Sequence, residues 1–114
     1  MLAHAEPVTF LRAGERTDPY SGEVVADDWS APVVVLEDVA GVEPIASDEP
    51  VQDGRQAVIV GLRLYFDHPV WVEAEWRVQA RGDVLHVQGR PARWRSPFTG
   101  WEAGTVVEAR WVDG

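Results

Sequence analysis

Three observations in the sequence predict an all-β fold, a small antiparallel β-barrel of about six or seven strands. Between residues 56 and 66, Val58, Val60, Leu62, Leu64 and Phe66 occupy alternate positions for five steps, while Arg63 and Tyr65 point the other way. That is the period of a strand with one buried face. Turn-forming residues interrupt the chain repeatedly, at Asp18-Pro19-Tyr20-Ser21-Gly22, Asp67-His68-Pro69, Arg81-Gly82-Asp83 and Ser96-Pro97. No stretch carries an amphipathic helical pattern of useful length. With 114 residues the chain is expected to be one domain, spanning 1–114.

In order along the chain, Pro7 to Arg12 is β-rich and reads as a first strand, at an edge because Pro7 opens it. Ala13 to Ser30 reads as loop, with a tight turn at 18–22 and a short extended piece at Glu23-Val24-Val25. Asp27-Asp28 before Trp29-Ser30 suggests the cap of one helical turn, stopped by Pro32. Val33 to Val39 is too short for a helix and rich in β-branched residues, so it reads as a strand buried at its start.

Ala40 to Gly54 holds Gly41, Pro44, Pro50 and Gly54, with four acids and no base. It reads as one long acidic inter-strand loop, a connection of a length usually disordered or functional. Gly61, inside the strongest strand, signals a bulge or a close backbone approach. Val70-Trp71-Val72 reads as a short extended linker or strand. Trp76 to Ala80 and Val84 to Gly89 form a hairpin across the turn at Arg81-Gly82-Asp83. Glu102-Ala103-Gly104 reads as a further turn, and Thr105 to Val112 as the closing strand, with Val107, Ala109 and Trp111 on one face.

The charge is uneven. The chain has nineteen acids and ten bases, all of them arginine. Residues 1–54 carry twelve acids and two arginines, whereas 55–114 carry seven acids and eight arginines. Non-specific nucleic-acid binding needs a basic surface to neutralise phosphates, so a DNA-binding module is not expected. An acidic wall past which DNA slides stays open as a reading, its repulsion screened within about 8 Å at physiological salt. With no cysteine in the chain, neither a disulfide framework nor a thiolate metal site is available. No apolar run approaches the ~20 residues of a helical membrane span. The first residues, Met1 to Pro7, lack the basic and apolar regions of a signal peptide, so the expected setting is a cytosol or a particle assembled there.

Catalytic and metal-binding readings find no support in the residues. The histidines at 4, 68 and 86 lack ligand spacing, and His86 reads as an ordinary strand residue. Phosphate loops, nucleophile elbows and HExxH are missing. No catalytic residue, metal ligand or cofactor is expected. Arg81-Gly82-Asp83 matches an integrin-binding triplet, but it falls where a hairpin turn is required.

The densest lead is Arg93-Trp94-Arg95-Ser96-Pro97-Phe98-Thr99-Gly100-Trp101. Pro97 fixes its own φ and extends Ser96, and Gly100 is free to take a positive φ. The stretch predicts a rigid corner between two β segments that brings Trp94, Phe98 and Trp101 together. Such a corner either closes a small barrel or shows aromatic and guanidinium surfaces to a partner. Trp94 and Trp101 also suit a stacking platform, and a carbohydrate- or cell-surface-binding β module is the alternative function. Trp29, Trp71 and Trp76 are expected to be partly exposed, as at protein interfaces.

Ile59 to Tyr65, Gly82 to Gly89, the corner Trp94 to Trp101 and Gly104 to Val107 together resemble the head-to-tail stopper (head-closure) proteins of long-tailed actinobacterial phages. The likeness covers about residues 55–112, and its most specific part is the Ser-Pro-Phe-Thr-Gly-Trp corner. It implies a small non-catalytic β-barrel, copies of which form a ring in the virion neck. That ring lies between the portal–adaptor and the tail terminator or tail tube, closes the DNA-filled capsid and offers a docking platform to the tail. The corner Arg93, Trp94, Arg95, Pro97, Phe98, Gly100 and Trp101 would then serve as structural or partner surface. In that family a long loop points into the channel and helps hold the packaged DNA. By position it corresponds to 40–54, with Val42, Glu43, Asp48, Glu49 and Asp53. The implied location is the virion, assembled in the host cytoplasm, with no membrane partner.

Overall fold

A computed structural model describes residues 4–46, 58–95, 97–99 and 102–111, with 90–95 and 102–103 described through their backbone. The chain is all-β, with six strands: β1 (Glu6–Thr17), β2 (Val24–Ala46), β3 (Ile59–Phe66), β4 (Arg77–Ala80), β5 (Asp83–Arg95) and β6 (Glu102–Arg110). Every pairing is antiparallel, and the sheet closes on itself in the order β1-β2-β3-β6-β5-β4.

The alternating positions of each strand fill the interior of this ring. Leu62, Leu64 and Phe66 of β3 meet Val8 and Phe10 of β1, Val78 of β4, Leu85 and Val87 of β5, and Val107 and Ala109 of β6. The Phe10 and Phe66 rings lie 6.0 Å apart, and Phe10 lies 6.4 Å from Trp76. Val70 and Val72, on the linker after β3, are buried in the same core, so that linker folds over one end of the ring.

The hairpin at Arg81-Gly82 forms as expected, with both residues at positive φ (52° and 79°), the backbone of a two-residue turn matched to sheet twist. Gly61 is a close backbone approach: a Cβ there would collide with the Ala109 carbonyl oxygen of β6. The alternation on β3 buries Leu62, Leu64 and Phe66 but leaves Val58 exposed, because the ring closes only from Ile59 onward.

Several expectations are corrected. Ala13 to Thr17 and Val24 to Ser30 are not loop, but the outer parts of β1 and β2. No helical turn forms at Asp27-Asp28. Instead Asp28 Oδ1 accepts from the Ser30 amide at 3.0 Å and from its hydroxyl, within a bulge where β2 carries four residues, 29–32, between its pairings with Arg12 and Gly14. Val33 and Val34, expected to be buried, are exposed. Glu102 to Gly104 belong to β6 rather than to a turn. Gly104 adopts φ 146° where a Cβ would strike the Phe66 carbonyl.

The long acidic loop is also shortened. Residues 40–46 are strand, paired with β3 from Gly41↔Tyr65 to Ala46↔Ile59. Pro44 is tolerated because, among the described residues, this part of β2 pairs on one side only: β1 pairing ends at Glu6↔Ala40. Val42 therefore packs on the core, and Glu43 accepts the Tyr65 hydroxyl at 2.6 Å. Asp48, Glu49 and Asp53 lie outside the described residues.

Candidate functional site

β1 joins β4 only at Thr9 to Leu11, and β2 joins β3 only from Gly41 onward. Beyond these points the two strands continue together as a two-stranded ribbon, paired down to Thr17↔Val24. From Arg12 to the tip at Asp18 the ribbon reaches roughly 20 Å at 3.3 Å per residue. The molecule measures 51 × 46 × 24 Å, and its radius of gyration of 16.9 Å exceeds the roughly 13 Å of a compact domain of this length.

Local chemistry keeps the ribbon ordered. Arg16 grips Asp27 across it, Nε to Oδ1 at 2.6 Å and a second guanidinium nitrogen to Oδ2 at 3.0 Å. Each partner shifts the other: Arg16 draws the Asp27 carboxyl below its ordinary pKa. At the tip, Asp18 N–H donates to the Glu23 carbonyl and Gly22 N–H to the Asp18 carbonyl, both at 2.8 Å, and Asp18 Oδ1 accepts from the Tyr20 amide. Tyr20, at the apex, is 98% exposed.

The aromatic corner leaves the ring at the same end. β3 stops at Phe66, opposite Thr105 of β6, and β6 continues past it through Gly104 to Glu102. β5 accompanies it, Arg93, Trp94 and Arg95 pairing with Thr105, Gly104 and Glu102. Pro97 to Thr99 form a turn, and Phe98 is 94% exposed. Strands thus flank the stretch on both sides, and Phe98 does not enter the core. Gly100 and Trp101 lie outside the described residues, as do the side chains of Arg93, Trp94 and Arg95.

Between ribbon and corner sits a cluster that the sequence did not reveal. His68 Nε2 lies 2.6 Å from Asp38 Oδ2 on β2, and its Nδ1 lies 2.8 Å from Asp67 Oδ1. The two carboxylates raise the histidine pKa, Asp67 most, and His68 in turn lowers that of Asp67. Because they take opposite ring nitrogens, they diverge instead of converging on one metal position. Thr105 Oγ1, buried, accepts the Val70 amide at 2.9 Å and donates to the His68 carbonyl at 3.2 Å. The group fastens the linker over the end of the ring. Its only sequence signal is the adjacency of Asp67 and His68, since Asp38 is thirty residues away.

At the foot of the ribbon, the Arg77 guanidinium lies over the Trp29 ring, 3.9 Å from its centroid. Beside it a cleft of about 300 Å³ is lined by residues that include Trp29, Trp76, Asp27, Glu73 and Glu75. His86, paired with Arg77 across β4 and β5, has its pKa lowered by burial and then by that guanidinium. Arg81 binds Glu6 with two nitrogens (3.0 and 2.9 Å), so the Arg-Gly-Asp triplet is anchored to the start of β1. No family model matches the chain, and no curated protein matches it.

Proposed function

We propose that this protein is a structural component of a phage neck, one of many copies in a ring between the portal–adaptor and the tail. There it closes the DNA-filled capsid and offers the tail a docking platform. The observation that carries this reading is the placement of two projections, the β1–β2 ribbon and the β5–β6 corner, at one end of a closed ring of strands. A rigid body with exposed arms suits subunits that hold one another while leaving a second surface for a different partner. The uneven charge supports it too: acidic surface does not retain DNA passing through the channel.

The test is a phage lacking this protein. Its capsids are expected to package DNA, lose it on standing and fail to acquire tails, with restoration when the protein is supplied. Infectious tailed particles formed without it would overturn the proposal.

A further inference from the structure

We infer that the two open edges of the β1–β2 ribbon pair with each other between copies, the β2 edge of one chain lying on the β1 edge of the next. This deepens the proposed ring and rests on it for closure. β2 is paired on its β1 side from Val24 to Ala40, yet on its other side its described strand partner begins only at Gly41. Over 24–37 that second edge has no described strand beside it. β1 likewise has no described strand beyond Leu11 on the side where β4 ends, where Arg12 and Ala13 share a cleft with Glu73, Glu75 and Trp76, and Glu15 to Thr17 are exposed.

Open edges present unpaired amides and carbonyls, and proteins blunt them with lysine, proline, bulges or a covering element. The ribbon is irregular at three places, opposite Val35, at the bulge containing Pro32 and between Asp28 and Val25, with paired stretches between them. On either side of the Pro32 bulge Val24 (65% exposed), Val33 and Val34 (52% exposed) face solvent. An added strand covers such a surface through main-chain hydrogen bonds and side-chain contacts at alternate positions.

Charge selects the occupant. Residues 12–17 of β1 carry Arg12, Arg16 and Glu15, while 23–28 carry Glu23, Asp27 and Asp28 and no base. Two β2 edges brought together would set acids against acids, whereas the β1 edge carries two arginines and one acid, with Arg16 already neutralising Asp27 of its own ribbon. Direction agrees: ribbons repeated side by side alternate β1, β2, β1, β2, so every new contact is antiparallel, as within one ribbon. Such a contact is heterologous, and it generates a ring when the rotation closes.

Sedimentation velocity and hydrogen–deuterium exchange on the full chain, over a concentration series at low and high salt, test this. Association should grow with concentration and weaken with salt, and amides within 12–17 and 24–37 should slow by about tenfold or more in the associated species while those of β3 stay unchanged. Val34→Lys, a charge on the exposed edge, should weaken association about tenfold, ~1.4 kcal/mol, with melting unchanged. If that variant melts lower, Val24→Lys near the tip carries the same expectation. Association that leaves the ribbon amides exchanging as before overturns the edge pairing and spares the ring. A chain monomeric at every concentration overturns the edge pairing too, and the ring then stands or falls on the phage lacking the protein.

Discussion

His68 shows how much one residue can tie together. Its ring bridges Asp38 on β2 and Asp67 at the end of β3, and its carbonyl receives the buried Thr105 hydroxyl. A histidine whose folded pKa is raised contributes stability that is complete below its unfolded pKa, about 6.5, and is lost as pH rises through the folded value. His86 has the opposite sign: its lowered pKa means stability is lost as pH falls. The difference between wild type and His68→Leu isolates the bridge. Melting followed from pH 5 to 9 should show the wild type's advantage over the variant shrinking as pH rises above 6.5. A constant difference would refute the charged bridge. Two other residues carry backbone constraints. Gly104→Ala meets both a positive φ and the Phe66 carbonyl, and denaturant unfolding should show a loss of about 3 kcal/mol or more. On the proposed neck role, Phe98→Ser, at an exposed turn, should lower tail attachment, measured as the fraction of tailed particles.

At the scale of elements, legibility followed burial. β3 could be read because Leu62, Leu64 and Phe66 face a core while Arg63 and Tyr65 do not, and the Arg81-Gly82 turn because its backbone demands those residues. The ribbon could not be read. Ala13 to Thr17 and Val24 to Ser30 have no one-sided apolar pattern because most of their residues are exposed whichever face they occupy, and sequence periodicity reports only a difference between faces. Residues 40–46 were hidden by Gly41 and Pro44, which look like breakers yet fit a segment paired on one side. It follows that deleting 42–46 removes the β2–β3 closure, and loss of cooperative unfolding by circular dichroism is the expected result. Arg16→Ala, by contrast, breaks an exposed, solvent-screened pair and should barely move the melting temperature. The stretch Trp94 to Trp101 was legible as a connection between strands, through Pro97, with core closure and partner surface both left open; the 94% exposure of Phe98 places that ring outside the core.

At the scale of the whole molecule, a small closed core supports two projecting arms. Phe10, Phe66, Leu64 and Leu85 make the ring rigid, and Phe10→Ala should cost about 3–5 kcal/mol by denaturant unfolding. The ribbon and the corner extend from that rigid body, and on the proposed neck role their exposed valines, Tyr20 and Phe98 would meet neighbours without distorting the barrel. The measurement that tests this account most directly is cryo-electron microscopy of the neck of the assembled particle. The account predicts repeated copies of the six-stranded ring arranged about the channel axis between portal–adaptor and tail, each ribbon against the next copy. A neck fully explained by other proteins, with this fold absent from it, would contradict the account.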